Sequence, residues 1–242
     1  MRSLIGAIAF LTLLPAPGRQ VAPGRAAAFF PLVGAMLGAA GAGVYIAAGR
    51  VLPPAVAALL TVASWTMISG VLHEDGLADV ADAMRAGRAR EKMLAILKDS
   101  RIGTYGAVAV ALSVIARWQA LEYSSSHPVL IVCVAAQAVP RAAMVALAWV
   151  SRPVGTGLGF EFASTLTTAG ALAAIAQGIA AALLGGLRVG LVMIVGAYLI
   201  VRAARWYFYR RLGGVNGDCL GAVEQLLEIF VLLLFTCRNC SW

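Results

Sequence analysis

Long apolar segments dominate this sequence of 242 residues and limit what it can fold into. Hydrophobic residues make up 61% of the chain and charged residues only 12%, whereas soluble domains are about half apolar and about a quarter charged. About 20 apolar residues cross the roughly 30 Å hydrocarbon core of a bilayer, and unpaired backbone groups in lipid require such spans to be helical. We predict an all-α polytopic membrane bundle with seven or eight membrane segments, forming one integral membrane domain over residues 1–242. The segments lie at about 3–14, 27–49, 54–72, 105–122, 128–150, 168–186, 187–206 and 220–237.

Basic residues indicate how this bundle is oriented. The net charge of +8 comes from 19 Lys and Arg against 11 Asp and Glu. Basic loops at 15–26, 73–104 and 202–211 fall on one side of the predicted bundle, and the positive-inside rule places that side in the cytoplasm. We therefore expect a multi-pass membrane protein with its polar loops in the cytoplasm. Basic loops of this kind face anionic lipid, so we expect the lipid bilayer and no nucleic acid as a partner.

Six of the eleven acidic residues lie between Glu74 and Asp99. Within this group Asp75, Asp79 and Asp82 have i, i+4, i+7 spacing, which places them on one face of a helix. Carboxylates at this spacing repel each other, and Mg²⁺, held by a few carboxylates and by substrate phosphate, removes the repulsion. The alternative is an acidic helix start, which accounts for Glu74 and Asp75 but not for Asp79 and Asp82. We predict that Asp75, Asp79 and Asp82 bind Mg²⁺.

A second polar motif precedes the segment at 105–122. Backbone N–H groups at a helix N-terminus bind phosphate, and an arginine adds two parallel hydrogen bonds. The cations, hydroxyl groups and glycines of this motif therefore suit a loop that wraps an anion. The alternative is a charged, glycine-rich connector with a Ser or Thr cap. The candidate phosphate contacts are Lys98, Ser100, Arg101, Gly103, Thr104 and Gly106.

A third group of charges surrounds the last apolar segment. Asp218 precedes it, and Glu224 and Glu228 share one helix face at i, i+4 spacing. Arg117 and Arg141 lie within the predicted spans at 105–122 and 128–150. Charged side chains inside a membrane are costly and usually functional. Two alternatives stay open for the arginines: they pair with the glutamates, or they hold an anionic substrate.

Four segments of the sequence resemble the adenosylcobinamide-GDP ribazoletransferases, also called cobalamin synthases. They are FFPLVGAMLGA (29–39), HEDGLADVADAM (73–84), LKDSRIGTYGAVAVAL (97–112) and GGVNGDCLGAVEQLLEI (213–229). The resemblance covers most of the chain, but the family commonly has Asp-Gly at 82–83 and Thr-Gly-Asp at 216–218. Asn216 lacks the threonine hydroxyl, which leaves the role of this position open. The acidic motif is distantly similar to that of CDP-alcohol phosphotransferases, but its spacing differs and their downstream Gly-x-x-x-Asp-x-x-x-Asp element is missing.

The resemblance implies an integral enzyme of the bacterial cytoplasmic (inner) membrane that uses Mg²⁺. It would join α-ribazole, or its 5′-phosphate, to adenosylcobinamide-GDP and release GMP. Asp79 or Asp82 would act as general base, and Lys98 and Arg101 would stabilise the developing charge. Asp218 would complete the metal site, and the substrate contacts nearer the spans would be Arg141, Asn216, Glu224 and Glu228. A transporter is the alternative class, because intramembrane acids and arginines also suit one; a homo-oligomer stays open.

Overall fold

The computed structural model of the protein describes residues 2–16, 21–85, 90–99, 101–124 and 127–237. Throughout these ranges the regular structure is helical, apart from one isolated β-bridge between Pro153 and Val215. The all-α prediction is therefore confirmed. The helices, in chain order, are α1 (Arg2–Leu11), α2 (Pro23–Ala26), a 3₁₀ turn (Ala27–Phe29), α3 (Phe30–Ala48), α4 (Pro54–Ile68), α5 (Leu72–Arg85), α6 (Arg90–Ile96), α7 (Thr104–Glu122), α8 (Val129–Trp149), α9 (Leu158–Thr165), α10 (Thr168–Leu183), α11 (Leu187–Leu212) and α12 (Gly217–Leu234).

Several of these helices have the length and apolar composition of membrane spans. In the described part of the chain, four qualify singly: Pro23–Ala48, α7, α8 and α11. Two bent pairs, α4 with α5 and α9 with α10, bring the number to six if each pair is one span. The polytopic class is confirmed, whereas the count of seven or eight segments is not. The predicted last span corresponds to α12, whose 18 residues include the carboxylates of Asp218, Glu224 and Glu228.

Helix α8 forms the centre of the bundle. It is buried along most of its length from Val132 to Ala148, and it packs against α3, α10 and α12. A helix that is apolar on all sides is expected to be buried in this way. Gly34 and Gly38 of α3 lie so close to α8 that a Cβ atom at either position would collide with the α8 backbone. Small residues thus allow close helix contact in a setting where lipid supplies no hydrophobic force between helices.

The connection between α4 and α5 is a sharp turn. Gly70 and Val71 have φ angles of 65° and 62°, and the two helix axes differ by 87°. A positive φ is uncommon for a β-branched residue, and such strained residues persist only where the surrounding structure holds them. The turn sends the polar helix α5 across α12, which positions the acidic motif.

Candidate active site

The acidic motif and the third motif meet where α5 crosses α12. A Cβ atom at Gly76 would lie 2.9 Å from the backbone oxygen of Asp218 and 3.3 Å from the Cα atom of Gly221. The two backbones can approach so closely because the glycines at this crossing have no Cβ atom. The contact places Asp75, next to Gly76 on α5, beside Asp218 in the first turn of α12.

A cavity of about 320 Å³ opens at this crossing. Its polar residues come from three separate motifs: Asp75 of α5, Lys98 after α6, and Asn216 and Asp218 at the start of α12. His73 also lines it; its side chain is buried and its Nε2 atom lies 3.9 Å from Glu224. The structure therefore brings together four of the residues that the sequence predicted for one site.

Asp79 lies in the electrostatic field of four other carboxylates, namely Asp218, Asp75, Asp82 and Asp99. The i, i+4, i+7 stripe on α5 thus faces further negative charge from α12 and from the loop after α6. Repulsion of this kind is what a bound cation would remove, because charges near a protein surface still interact strongly at an effective dielectric constant of about 20.

Asn216 both caps α12 and orients Asp218. Its Oδ1 atom accepts a hydrogen bond from the backbone N–H of Cys219 at 3.0 Å, as an N-cap side chain does. Its Nδ2 atom donates to Oδ2 of Asp218 at 2.6 Å. This second hydrogen bond gives position 216 a role that the sequence left open: it fixes one oxygen of Asp218 and leaves the other for a ligand.

Asp82 holds the loop that leads into α7. Its Oδ2 atom accepts a hydrogen bond from the backbone N–H of Gly103 at 2.7 Å, and its Oδ1 atom accepts one from Gly106 at 2.9 Å. A Cβ atom on either glycine would collide with this carboxylate. The anion that the loop binds here belongs to the protein itself, and contact of the loop with substrate phosphate stays a prediction. Each carboxylate oxygen has a further lone pair, so Mg²⁺ binding by Asp82 stays a prediction.

The structure does not bring Arg101 or Thr104 of the second motif to the cavity. Arg101 binds Asp99 through two nitrogens, at 3.0 and 2.6 Å, and its side chain is 87% exposed. These hydrogen bonds lower the pKa of Asp99 to about 2. Arg101 does not line the cavity, and Thr104 is exposed at the start of α7, so the structure brings neither into the site. Ser100 lies outside the described residues.

Three buried ion pairs, formed by two arginines, lie behind the cavity. Arg117 donates to Glu74 at 2.9 Å and lies 3.4 Å from Glu228, while Arg141 lies 3.0 Å from Glu224; none of these five side chains is more than 2% exposed. Both arginines therefore follow the pairing alternative. None of the three residues predicted to bind substrate here, Arg141, Glu224 and Glu228, lines the cavity, because their ion-pair partners enclose them.

Comparisons with known proteins identify the family. The family model described as cobalamin-5-phosphate synthase matches residues 3–236. The chain belongs to the cobalamin-5-phosphate synthase family. An adenosylcobinamide-GDP ribazoletransferase of Ralstonia nicotianae is 40% identical, over 96% of this chain and 93% of the relative. Proteins with the same name from Bradyrhizobium diazoefficiens and Vibrio parahaemolyticus are 40% and 33% identical, over 94% and 96% of this chain and 90% and 91% of the relatives. No solved structure matches the chain.

One wall of the cavity comes from a loop that sequence reasoning missed. Gly155 and Thr156 lie between α8 and α9, and Gly159 lies in the first turn of α9. The backbone N–H of Val154 donates to the carbonyl oxygen of Val215 at 2.9 Å, which fixes this loop beside the start of α12. The signal for it was the Gly-Thr-Gly pattern, because loops that offer backbone N–H groups form anion-binding concavities.

Two aromatic side chains also line the cavity. Phe10 of α1 and Phe162 of α9 line it, and both rings contact Phe30 at centroid distances of 5.3 and 5.2 Å. These separations are typical of favourable aromatic pairs. No local sequence pattern indicates that α1 contributes to the site, because the three phenylalanines come from distant segments.

Proposed function

We propose that this chain closes the nucleotide loop of cobalamin. It joins α-ribazole, or its 5′-phosphate, to adenosylcobinamide-GDP and releases GMP. The observation that carries the proposal is the cavity at the α5–α12 crossing, where Asp75 and Asp218 lie with Lys98 around one space. Membership of the cobalamin-5-phosphate synthase family and the name of the curated relatives support the same reaction.

The carboxylates fit a magnesium ion that is shared with the substrate. Mg²⁺ prefers oxygen ligands, keeps several waters, and is usually held by one or two carboxylates together with substrate phosphates. Among the described residues, no group of three or more His, Cys, Asp and Glu side chains forms a metal cage. We therefore propose Asp75 and Asp218, which both line the cavity, as the protein ligands. When bound, Mg²⁺ would neutralise charge on the pyrophosphate of the substrate.

The lining of the cavity suits the two parts of the proposed acceptor. Phe10 and Phe162, which line it, supply apolar aromatic surface next to the flat base of α-ribazole. Lys98, which also lines it, supplies positive charge to the phosphate oxygens. A cavity of about 320 Å³ is small for a ligand site, so the corrin ring stays outside it.

The proposed step exchanges one phosphorus–oxygen bond for another. The 3′-oxygen of the ribose forms a bond to the phosphorus that carries cobinamide, and the bond from this phosphorus to GMP breaks. The hydroxyl proton passes to a carboxylate. We assign this base to Asp79, which does not line the cavity itself but lies one turn of α5 after the cavity-lining Asp75. Asp82 is less suited, because both of its oxygens already accept hydrogen bonds from Gly103 and Gly106.

Amide variants of the two proposed ligands test this function. Asp75→Asn and Asp218→Asn keep the side-chain shape but lose the charge, and we expect each to lower transfer about 100-fold or more. Formation of the joined corrinoid and release of GMP are measured in purified full-length protein over a range of Mg²⁺ concentrations. Glu91→Gln is the matched control, since Glu91 is an exposed acid of α6 outside the cavity. Near-normal activity in both aspartate variants, or a wild type that releases no GMP, would contradict the proposal.

We also propose that the cavity faces the cytoplasm from the bacterial inner membrane. The basic loops that flank the site support this orientation. A cysteine at exposed Ile102, near the site, should react with a membrane-impermeant reagent only in inside-out vesicles. A cysteine at Val51, which is 81% exposed in the α3–α4 connection, should react only in right-side-out vesicles. The reverse pattern would refute the orientation.

A further inference from the structure

A second cavity, of about 560 Å³, lies between α8, α10 and α11. None of the residues that line it lines the candidate active site. Its walls are apolar over most of their length and come from Val139, Ala142, Ile175, Ile179 and Ala197. Both α8 and α11 have the length and composition of membrane spans, so this cavity is a groove at the depth of the hydrocarbon core.

One end of the groove is cationic. Arg202 and Arg205 of α11 line it there, beside Trp149 and Tyr198, and no Asp or Glu lines the groove. Arg205 is anchored, because its Nε atom donates to the carbonyl oxygen of Val150 at 2.8 Å. Arg202 is exposed and makes no hydrogen bond or ion pair within the described part of the chain. Arginine in a membrane normally pairs with an anion, and the described residues supply none to Arg202.

We propose that the groove binds one anionic glycerophospholipid, with an acyl chain between α8, α10 and α11 and its phosphate at Arg202 and Arg205. Basic pockets between membrane helices bind anionic lipid headgroups. Trp149 and Tyr198 are the residue types enriched at the level of the headgroups. An apolar groove that ends in two cations and no acid matches the chemistry of such a lipid along its whole length.

The lipid headgroup would lie on the same side of the membrane as the active site. Val150, whose carbonyl oxygen binds Arg205, immediately follows α8 and precedes the loop that carries Gly155 and Thr156 into the active-site cavity. A bound anionic lipid would therefore fix the end of α8 and α11 next to that loop. The site differs from diffuse attraction of basic loops, because it requires both a cation and the groove.

Two variants separate the charge from the groove. Arg202→Gln removes one cation without breaking a contact, and Ala146→Phe fills the groove without changing charge, since Ala146 lines it. Arg210→Gln is the matched control: Arg210 lies on the same helix, over the ring of Trp206 at 4.3 Å, and does not line the groove. Binding of phosphatidylglycerol and phosphatidylcholine to the purified full-length chain is measured by native mass spectrometry.

We expect the wild type and Arg210→Gln to retain one phosphatidylglycerol in preference to phosphatidylcholine. Arg202→Gln should weaken this binding about fivefold, which is the effect of about one cation near a headgroup, and Ala146→Phe should abolish it. Equal binding of both lipids, equal losses in Arg202→Gln and Arg210→Gln, or full retention in Ala146→Phe would each overturn the proposal. So would a wild-type dimer that Ala146→Phe dissociates, because a second copy would then occupy the groove.

Discussion

Replacing Arg117 by methionine removes the cation of a buried charge network. Arg117 is 1% exposed, and its partners Glu74 and Glu228 are 2% exposed at distances of 2.9 and 3.4 Å. Without the arginine, Glu74 and Glu228 stay buried and both lose the cation that pairs with them. Removing one partner of a buried ion pair costs about 3–5 kcal/mol. At about 2–4 °C per kcal/mol for a protein of this size, the melting temperature should fall by about 6–20 °C.

Thermal unfolding of the purified full-length chain in detergent, followed by far-ultraviolet circular dichroism, measures this change. Arg50→Met is the control, because Arg50 is exposed after α3 and surface substitutions usually change stability by no more than about 0.5 kcal/mol. The triple variant Arg117→Met, Glu74→Gln, Glu228→Gln should recover most of the loss. Replacing all members of a buried ionic group is often neutral, whereas removing one is not.

Two results would refute this reasoning. If Arg117→Met melted at the same temperature as Arg50→Met, the network would contribute nothing to stability. If the triple variant melted as low as the single variant, the loss would come from packing of the arginine side chain and not from the uncompensated carboxylates.

Three further predictions concern the acidic motif on α5 and the loop before α7. The amide in Asp82→Asn can accept only one of the two N–H hydrogen bonds that the carboxylate accepts. Losing a charge-assisted bond worth about 1.5–3 kcal/mol should speed hydrogen exchange of segment 101–107 by about 10- to 150-fold. Asp79→Asn should leave this exchange rate unchanged, and equal exchange rates in the two variants would contradict the role of Asp82. Gly76→Ala should lower transfer activity, because its Cβ atom would lie 2.9 Å from the Asp218 backbone. Gly43→Ala should not, because no atom lies within 4 Å of its Cβ position. Similar activities of the two variants would contradict a functional role for the close approach of α5 and α12. Because Arg101 lowers the pKa of Asp99 from 3.8 to about 2, the order that this pair gives the loop should be complete above pH 4 and be lost as the pH falls through about 2. A spin label at Ile102→Cys should report this loss as increased mobility of the label. Arg101→Gln should remove the pH dependence of label mobility between pH 4 and 2. An unchanged mobility profile in Arg101→Gln would rule out the Asp99–Arg101 pair as the cause of the pH dependence.

The structure brings together some of the residues that the sequence predicted for one site and leaves others apart. Asp75, Lys98, Asn216 and Asp218 line one cavity, as the spacing and the family resemblance indicated. Arg101 instead points to Asp99 at the surface. Spacing along a helix is a local property, so it can place acids on one face, but it does not determine which partner an exposed arginine finds.

Local patterns in the sequence determined that this chain is helical and embedded in a membrane, and they located its acidic motifs. Apolar length and helical periodicity depend only on neighbouring residues, and they need no tertiary contact to be effective. The tertiary structure alone decided that Asp82 receives the N–H groups of Gly103 and Gly106, and that Arg117 and Arg141 are enclosed by glutamates. It also decided that Phe10 of α1 reaches the active-site cavity. These contacts join residues that are separated in the chain, so local patterns do not reveal them. Glycines at close helix contacts, such as Gly76 of α5 and Gly34 of α3, let the helix backbones of this bundle approach one another.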